Sequence, residues 1–181
     1  MIRTERLAAW IALQHDGQII RHTTEPYFNH LRAVAEMAGP LLALGYEIGL
    51  CHDLLEDTGT TSTELFDALL SFGYTDAEAQ LVTDCAIELT DVYTRAAYPD
   101  LSKSERKARE SARLLHISPA AQTVKYGDLI YNMDWVVKYD HKHARKYLLK
   151  KQSLLTNLVQ GDKGLRQQAL DKIHSELVKL L

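Results

Sequence analysis

The sequence predicts an all-α protein, a single helical bundle, on three observations. Apolar residues recur at three- and four-residue spacing almost throughout the 181 residues. Alternation of period two is never sustained beyond a few positions, which leaves no half-buried strand from which to build a sheet. Three segments open with a Ser or Thr followed three residues later by Glu: Thr61 with Glu64, Thr75 with Glu78, and Ser102 with Glu105. In such a capping box the two side chains satisfy amides that the first helical turn leaves open.

Working outward from those starts, the spacing predicts helices near 3–15, 29–44, 46–57, 62–72, 76–90, 103–116, 119–138, 141–160 and 162–180. The first follows a start in which Glu5 and Gln14 flank a short apolar stretch. The second opens after Pro26-Tyr27-Phe28 and is ended or kinked by Pro40. The third carries Cys51-His52-Asp53-Leu54-Leu55-Glu56-Asp57. Capping boxes open the fourth, fifth and sixth, and the seventh holds Lys125-Tyr126-Gly127-Asp128. From Lys142 to Leu181 the chain is rich in Lys, Leu and Gln at helical spacing, which predicts an amphipathic hairpin with a solvated basic face. Two connections are long, residues 16–28 and 91–102, and long loops on a helical scaffold are where ligand contacts tend to sit. No repeat, low-complexity tract or linker divides the chain, so residues 1–181 are expected to form one domain.

Composition excludes several classes. With 46% hydrophobic and 25% charged residues the chain is neither fibrous nor disordered. A chain of this size buries about 70% of its unfolded surface, enough for a core without disulfides or a structural metal. Twenty-one Lys and Arg against 24 Asp and Glu give a net charge of −3, so no nucleic-acid partner is expected. Cys51 and Cys85 have no CxxC spacing, which argues against a disulfide scaffold and for a reducing, cytoplasmic setting. No secretion signal and no apolar run of about 18 residues is present, so no membrane partner is expected either.

Chemistry concentrates in His52-Asp53-x-x-Glu56-Asp57. On a continuous helix His52 and Glu56, and likewise Asp53 and Asp57, stand four apart, which puts metal-binding and proton-handling groups on one face. Upstream, Pro26-Tyr27-Phe28-Asn29-His30 sets an imidazole at the start of an apolar helix. Downstream, Asp128 sits among Val124, Leu129 and Ile130, where a carboxylate is costly to desolvate without a partner. A cation would be that partner. The mixed set His30, His52, Asp53 and Asp128 suits manganese, iron or zinc better than calcium or magnesium, which prefer all-oxygen shells. Two carboxylates neutralise a divalent ion and leave positions open, a catalytic rather than structural layout. A divalent ion lowers the pKa of water from 15.7 towards ~7, and Glu56 or Asp57 can then orient that water and carry its proton.

The order His, His-Asp, distant Asp resembles the HD phosphohydrolase superfamily. The longer string from His52 to Asp57, with PYFNH before it, SerGluArgLys at 104–107 and KYGDLIYN after it, is similar to the hydrolase domain of Rel/Spo-type alarmone enzymes, specifically their stand-alone small hydrolases. The likeness runs from about Gln14 to Leu158, which makes about 14–158 the metal-site core, with C-terminal helices to 181. It implies an all-helical HD fold, one manganese ion, and hydrolysis of (p)ppGpp to GDP or GTP plus pyrophosphate, with Glu56 and Asp57 as the catalytic pair. A small-molecule nucleotide is then the expected partner. The resemblance places basic substrate contacts at Arg21 and Lys103 and an asparagine contact at Asn132. Tyr27, His22, Lys107, His143 and Arg145 are further candidates.

The chain departs from the family pattern at three points. His22 stands where the family has lysine, Leu31 follows His30 where the family has proline, and Gly127 precedes Asp128 where the family has alanine. His22 bears on nucleotide identity, which keeps a hydrolase of another phosphorylated nucleotide, such as an NADPH 2′-phosphatase, as an alternative. A non-catalytic nucleotide binder is the other, although it would gain nothing from two mutually repelling carboxylates beside a metal. Gly127 is expected to serve close packing or ligand approach, since glycine within a helix costs up to about 1 kcal/mol relative to alanine.

Overall fold

Capping chemistry sets many of the helix boundaries in the computed structural model, which describes residues 2–180. The helices are α1 (Arg3–Gln14), α2 (Phe28–Ala38), α3 (Gly45–Cys51), α4 (Leu54–Asp57), α5 (Ser62–Phe72), α6 (Asp76–Leu89), α7 (Lys103–Leu114), α8 (Pro119–Tyr139), α9 (His141–Asn157) and α10 (Lys163–Lys179). All three capping boxes form, at the starts of α5, α6 and α7. Ser118 caps α8, and Pro119 occupies its first turn, where a missing amide costs nothing. Among the described residues no strand forms; Ile19 and Pro26 make an isolated antiparallel bridge within the first long loop.

Two expected helices are shorter or broken. The second ends at Ala38 with Gly39 as its cap, because Pro40 has no amide with which to continue the helical hydrogen-bond ladder. The third is interrupted at His52 and Asp53, where Asp53 adopts φ −107° and ψ 1° between α3 and the single turn α4. His52 and Glu56 therefore do not share one continuous helical face.

The long helix α8 packs against α2, α3, α6, α9 and α10, which makes it the central element. Its buried residues include Ala121, Val124, Tyr126, Leu129 and Met133, and one hydrophobic cluster continues from them to Leu31, Val34 and Ala35 of α2 and Ile48 and Leu50 of α3. The α2 and α3 backbones meet in van der Waals contact at Gly49 and Gly45, where an added Cβ would run into Ala35 and Ala38. Gly127 has no such role: a Cβ there would meet Met37 and Val34 at 3.6 Å, ordinary contact distance, so close packing does not require glycine. Both cysteines are buried and free. Among the described residues, no helix is long and apolar enough to cross a membrane.

Candidate metal centre and active site

Three parts of the fold deliver the donor atoms. His30 comes from the first turn of α2, His52 and Asp53 from the break between α3 and α4, and Asp128 from the middle of α8. The Nε2 atoms of His30 and His52 lie 3.1 Å apart. Asp53 Oδ2 is 3.0 Å from His52 Nε2 and 3.4 Å from His30 Nε2. Asp128 Oδ1 is 3.5 Å from His30 Nε2 and 3.8 Å from His52 Nε2. His30, His52 and Asp128 are buried. His30, His52 and Asp53 form a group able to hold a divalent metal, their ligand atoms all within 4.8 Å of one another.

Neighbouring groups fix the orientation of these side chains. His52 Nδ1 donates to Gly49 O at 2.7 Å, which leaves the Nε2 lone pair directed at the cluster in the neutral ring. The Tyr27 hydroxyl donates to Asp53 Oδ2 at 2.6 Å. Asn132 donates to Asp128 Oδ1, and Lys125 Nζ lies 2.8 Å from Asp128 Oδ2. The His30 ring packs against Tyr131 with centroids 4.5 Å apart, and its buried Nδ1 has no hydrogen-bond partner.

The electrostatics favour positive charge at the centre. Burial by itself raises the Asp53 carboxyl, but His52 and then His30 hold it well below the usual carboxylate range. Burial likewise opposes the charge on Asp128, and Lys125 followed by His52 outweighs it. Burial disfavours a charged His52, yet Asp53 and Asp128 push that imidazole up to about 9. Without a metal the cluster thus recruits a proton, because two desolvated carboxylates demand a cation.

Glu56 and Asp57 are exposed on α4, the turn that directly follows Asp53. Glu56 Oε2 accepts the Asp91 amide at 3.1 Å. Partial enclosure, then repulsion from Asp91, Asp53 and Asp57, raises Glu56 to about 7 despite that hydrogen bond. Asp57 is also raised, by enclosure and then by Asp53. Glu110, buried on α7, accepts the amides of Val92 and Tyr93 at 3.0 and 2.9 Å and so anchors the loop that supplies Asp91.

The remaining candidates divide. Tyr27 and Asn132 adjoin the cluster through Asp53 and Asp128. Arg21 is exposed, and its carbonyl accepts the Trp135 indole N–H at 2.8 Å. His22 adopts φ 64° and stacks on Trp135 at 5.7 Å and on Tyr139 at 6.3 Å. Lys103 and Lys107 are exposed on α7. His143 is exposed and bound to Asp140 at 2.7 Å. Arg145 lines a surface groove with Lys142, Lys146 and Lys150, a groove to which no cluster residue contributes. Sequence reasoning missed Lys125 and the Asp91 amide. Lys125 stands three residues before Asp128 on a helix, a spacing at which opposite charges pair, and that signal was available.

No family model matches the chain. A solved structure described as a metazoan ortholog of SpoT that hydrolyzes ppGpp and plays a role in starvation responses superposes with a TM-score of 0.77, over 100% of this chain and 98% of that one, at 20% identity. The chain has the HD fold. In sequence, the HD-fold chain is 35% identical over 112 residues to the Mus musculus guanosine-3′,5′-bis(diphosphate) 3′-pyrophosphohydrolase MESH1, covering 60% of this chain and 54% of that one. The Homo sapiens protein of the same name matches at 35% and the Xenopus tropicalis one at 34%, with the same coverage. The aligned part of the HD-fold chain thus spans about half the length of these curated relatives.

Proposed function

We propose that the chain is a manganese-dependent hydrolase of (p)ppGpp that releases GDP or GTP and pyrophosphate. The observation that carries this reading is the meeting of the His30 and His52 Nε2 atoms with an Asp53 oxygen, with an Asp128 oxygen 3.5 and 3.8 Å from the two nitrogens. The relatives named for this activity support it.

His30, His52, Asp53 and Asp128 would hold the ion; His52 and His30 present nitrogen donors, and the two carboxylates match a double positive charge. When bound, the metal supplies Lewis acidity at the phosphoryl group and lowers the pKa of water. The chain's own residues supply the proton traffic. Glu56, with a carboxyl raised to about 7, takes a proton from the attacking water near neutral pH. The water oxygen bonds to the phosphorus next to the 3′ oxygen, that phosphorus–oxygen bond breaks, and the 3′ oxygen receives a proton, with Asp57 as the second carboxyl at hand. Tyr27 holds Asp53 in place, and Lys125 and Asn132 hold Asp128. Arg21 and Lys103 would meet the substrate's phosphates. Two buried free thiols fit a cytoplasmic setting.

Incubation of the manganese-loaded protein with ppGpp, pppGpp and NADPH, followed by identification of the phosphate species released, tests the reading. Pyrophosphate with GDP or GTP is expected; orthophosphate from NADPH alone would replace it with the 2′-phosphatase alternative.

A further inference from the structure

The inner stripe of α9 carries Ala144, Leu148 and Leu155, all buried. Lys151 lies on that stripe, three residues beyond Leu148 and four before Leu155, at a register where an apolar side chain would ordinarily pack. Helices α8 and α9 are joined through Asp140 alone and pack on each other, so residues equally distant from Asp140 lie level. Lys151 therefore stands abreast of the stretch of α8 that bears Lys125 and Asp128. Its Nζ lies 5.2 Å from the centre of the Tyr147 ring.

The two lysines differ in what surrounds them. Lys125 is paired with Asp128 at 2.8 Å, whereas half-buried Lys151 makes no ion pair or hydrogen bond among the described residues. Burial, then repulsion from Lys125 and Lys107, lowers the Lys151 ammonium to about 8 against the attraction of Asp128 and Asp91. Lys107 is exposed on α7, so a third helix contributes to the positive charge felt by Lys151. Lys151 is thus a donor with no acceptor of its own among the described residues.

We propose that Lys151 binds a phosphate group of the substrate, the one nearest the His30, His52, Asp53 and Asp128 cluster. The identity of the ligand as a phosphorylated nucleotide rests on the reading under Proposed function; the anion site itself does not. A phosphate oxygen supplies the negative charge and the acceptor that Lys151 lacks.

Calorimetric titration of the intact, metal-loaded protein with inorganic phosphate tests the assignment. K151Q should weaken phosphate binding about tenfold or more, the scale of one hydrogen bond to a charged group. K151R should stay within about threefold of the native chain, because it keeps the charge and the donors. K151M, whose side chain suits an apolar stripe, takes the place of K151Q if the latter melts early. Equal affinity in the native and neutral variants, or no phosphate binding by the native chain, overturns the proposal. Lys151-dependent phosphate binding in a protein that leaves ppGpp intact upholds the anion site and removes the alarmone reading. Cleavage of ppGpp with phosphate affinity indifferent to Lys151 does the reverse.

Discussion

Gly49 of α3 lies so close to Ala35 of α2 that a Cβ added to it would stand 2.5 Å from the Ala35 Cα. His30 is five residues before Ala35 and His52 three after Gly49, so this backbone contact sets how near the two imidazoles come. G49A is expected to force the helices apart and destabilise the protein by about 1–3 kcal/mol, the usual cost of overpacking. G127A meets only ordinary contacts and should be neutral or stabilising by up to about 1 kcal/mol. Thermal denaturation ranks the pair, and an unchanged melting point for G49A would refute the argument.

Asp53 and Asp128 face the same pair of imidazole nitrogens. D53A and D128A should each lose bound metal and turnover together. Elemental analysis of the purified variants decides the matter; full metal content in either removes that residue from the ligand set.

Much of this was legible from residue order. The capping pairs at Thr61, Thr75 and Ser102 are local chemistry, so they fixed three helix starts without reference to the rest of the molecule. Asp128 betrayed itself as a carboxylate in an apolar helical register. The break at His52 and Asp53 is not visible in the sequence, because helical spacing continues through it; the Tyr27 hydroxyl, a partner distant in sequence, binds Asp53 where the backbone leaves the helix. The sequence offers Arg145 as a cation for the site but does not show that α9 sets it in a groove with Lys142, Lys146 and Lys150. Gly127 invited a packing explanation that belongs instead to Gly49 and Gly45, since a one-dimensional pattern does not reveal which glycine another backbone crosses.

Tyr27 bears on Asp53 through a 2.6 Å hydrogen bond. Y27F should weaken metal binding by roughly 10–100-fold, the usual effect of losing a partner that orients a ligand, with the helical circular-dichroism signal unchanged. Metal titration of the two proteins provides the comparison. Equal affinities would reduce Tyr27 to a packing role.

For Glu56 the sign of the pH effect follows from a carboxyl raised from 4.5 to about 7. As a base it must be ionised, so turnover should rise with pH through about 7, and E56Q should lower the rate by something like 100-fold and flatten that limb. Stability runs the other way. Between about 4.5 and 7 the folded chain binds more protons at this site than the unfolded chain, so the contribution of Glu56 to stability declines as pH rises. Metal-free E56Q should consequently melt above the native protein at pH 8 and level with it at pH 4; melting curves at the two values provide the check.

The four side chains His30, His52, Asp53 and Asp128 belong to segments far apart along the polypeptide: one near the start, one 22 residues further on, one beyond the midpoint. An ion held by all of them would act as a staple, closing long loops that the unfolded chain would leave open. Its loss would loosen the seam between α2, α3 and α8 as well as silence the chemistry, and chelation should therefore register as a drop in melting temperature before any substrate is added.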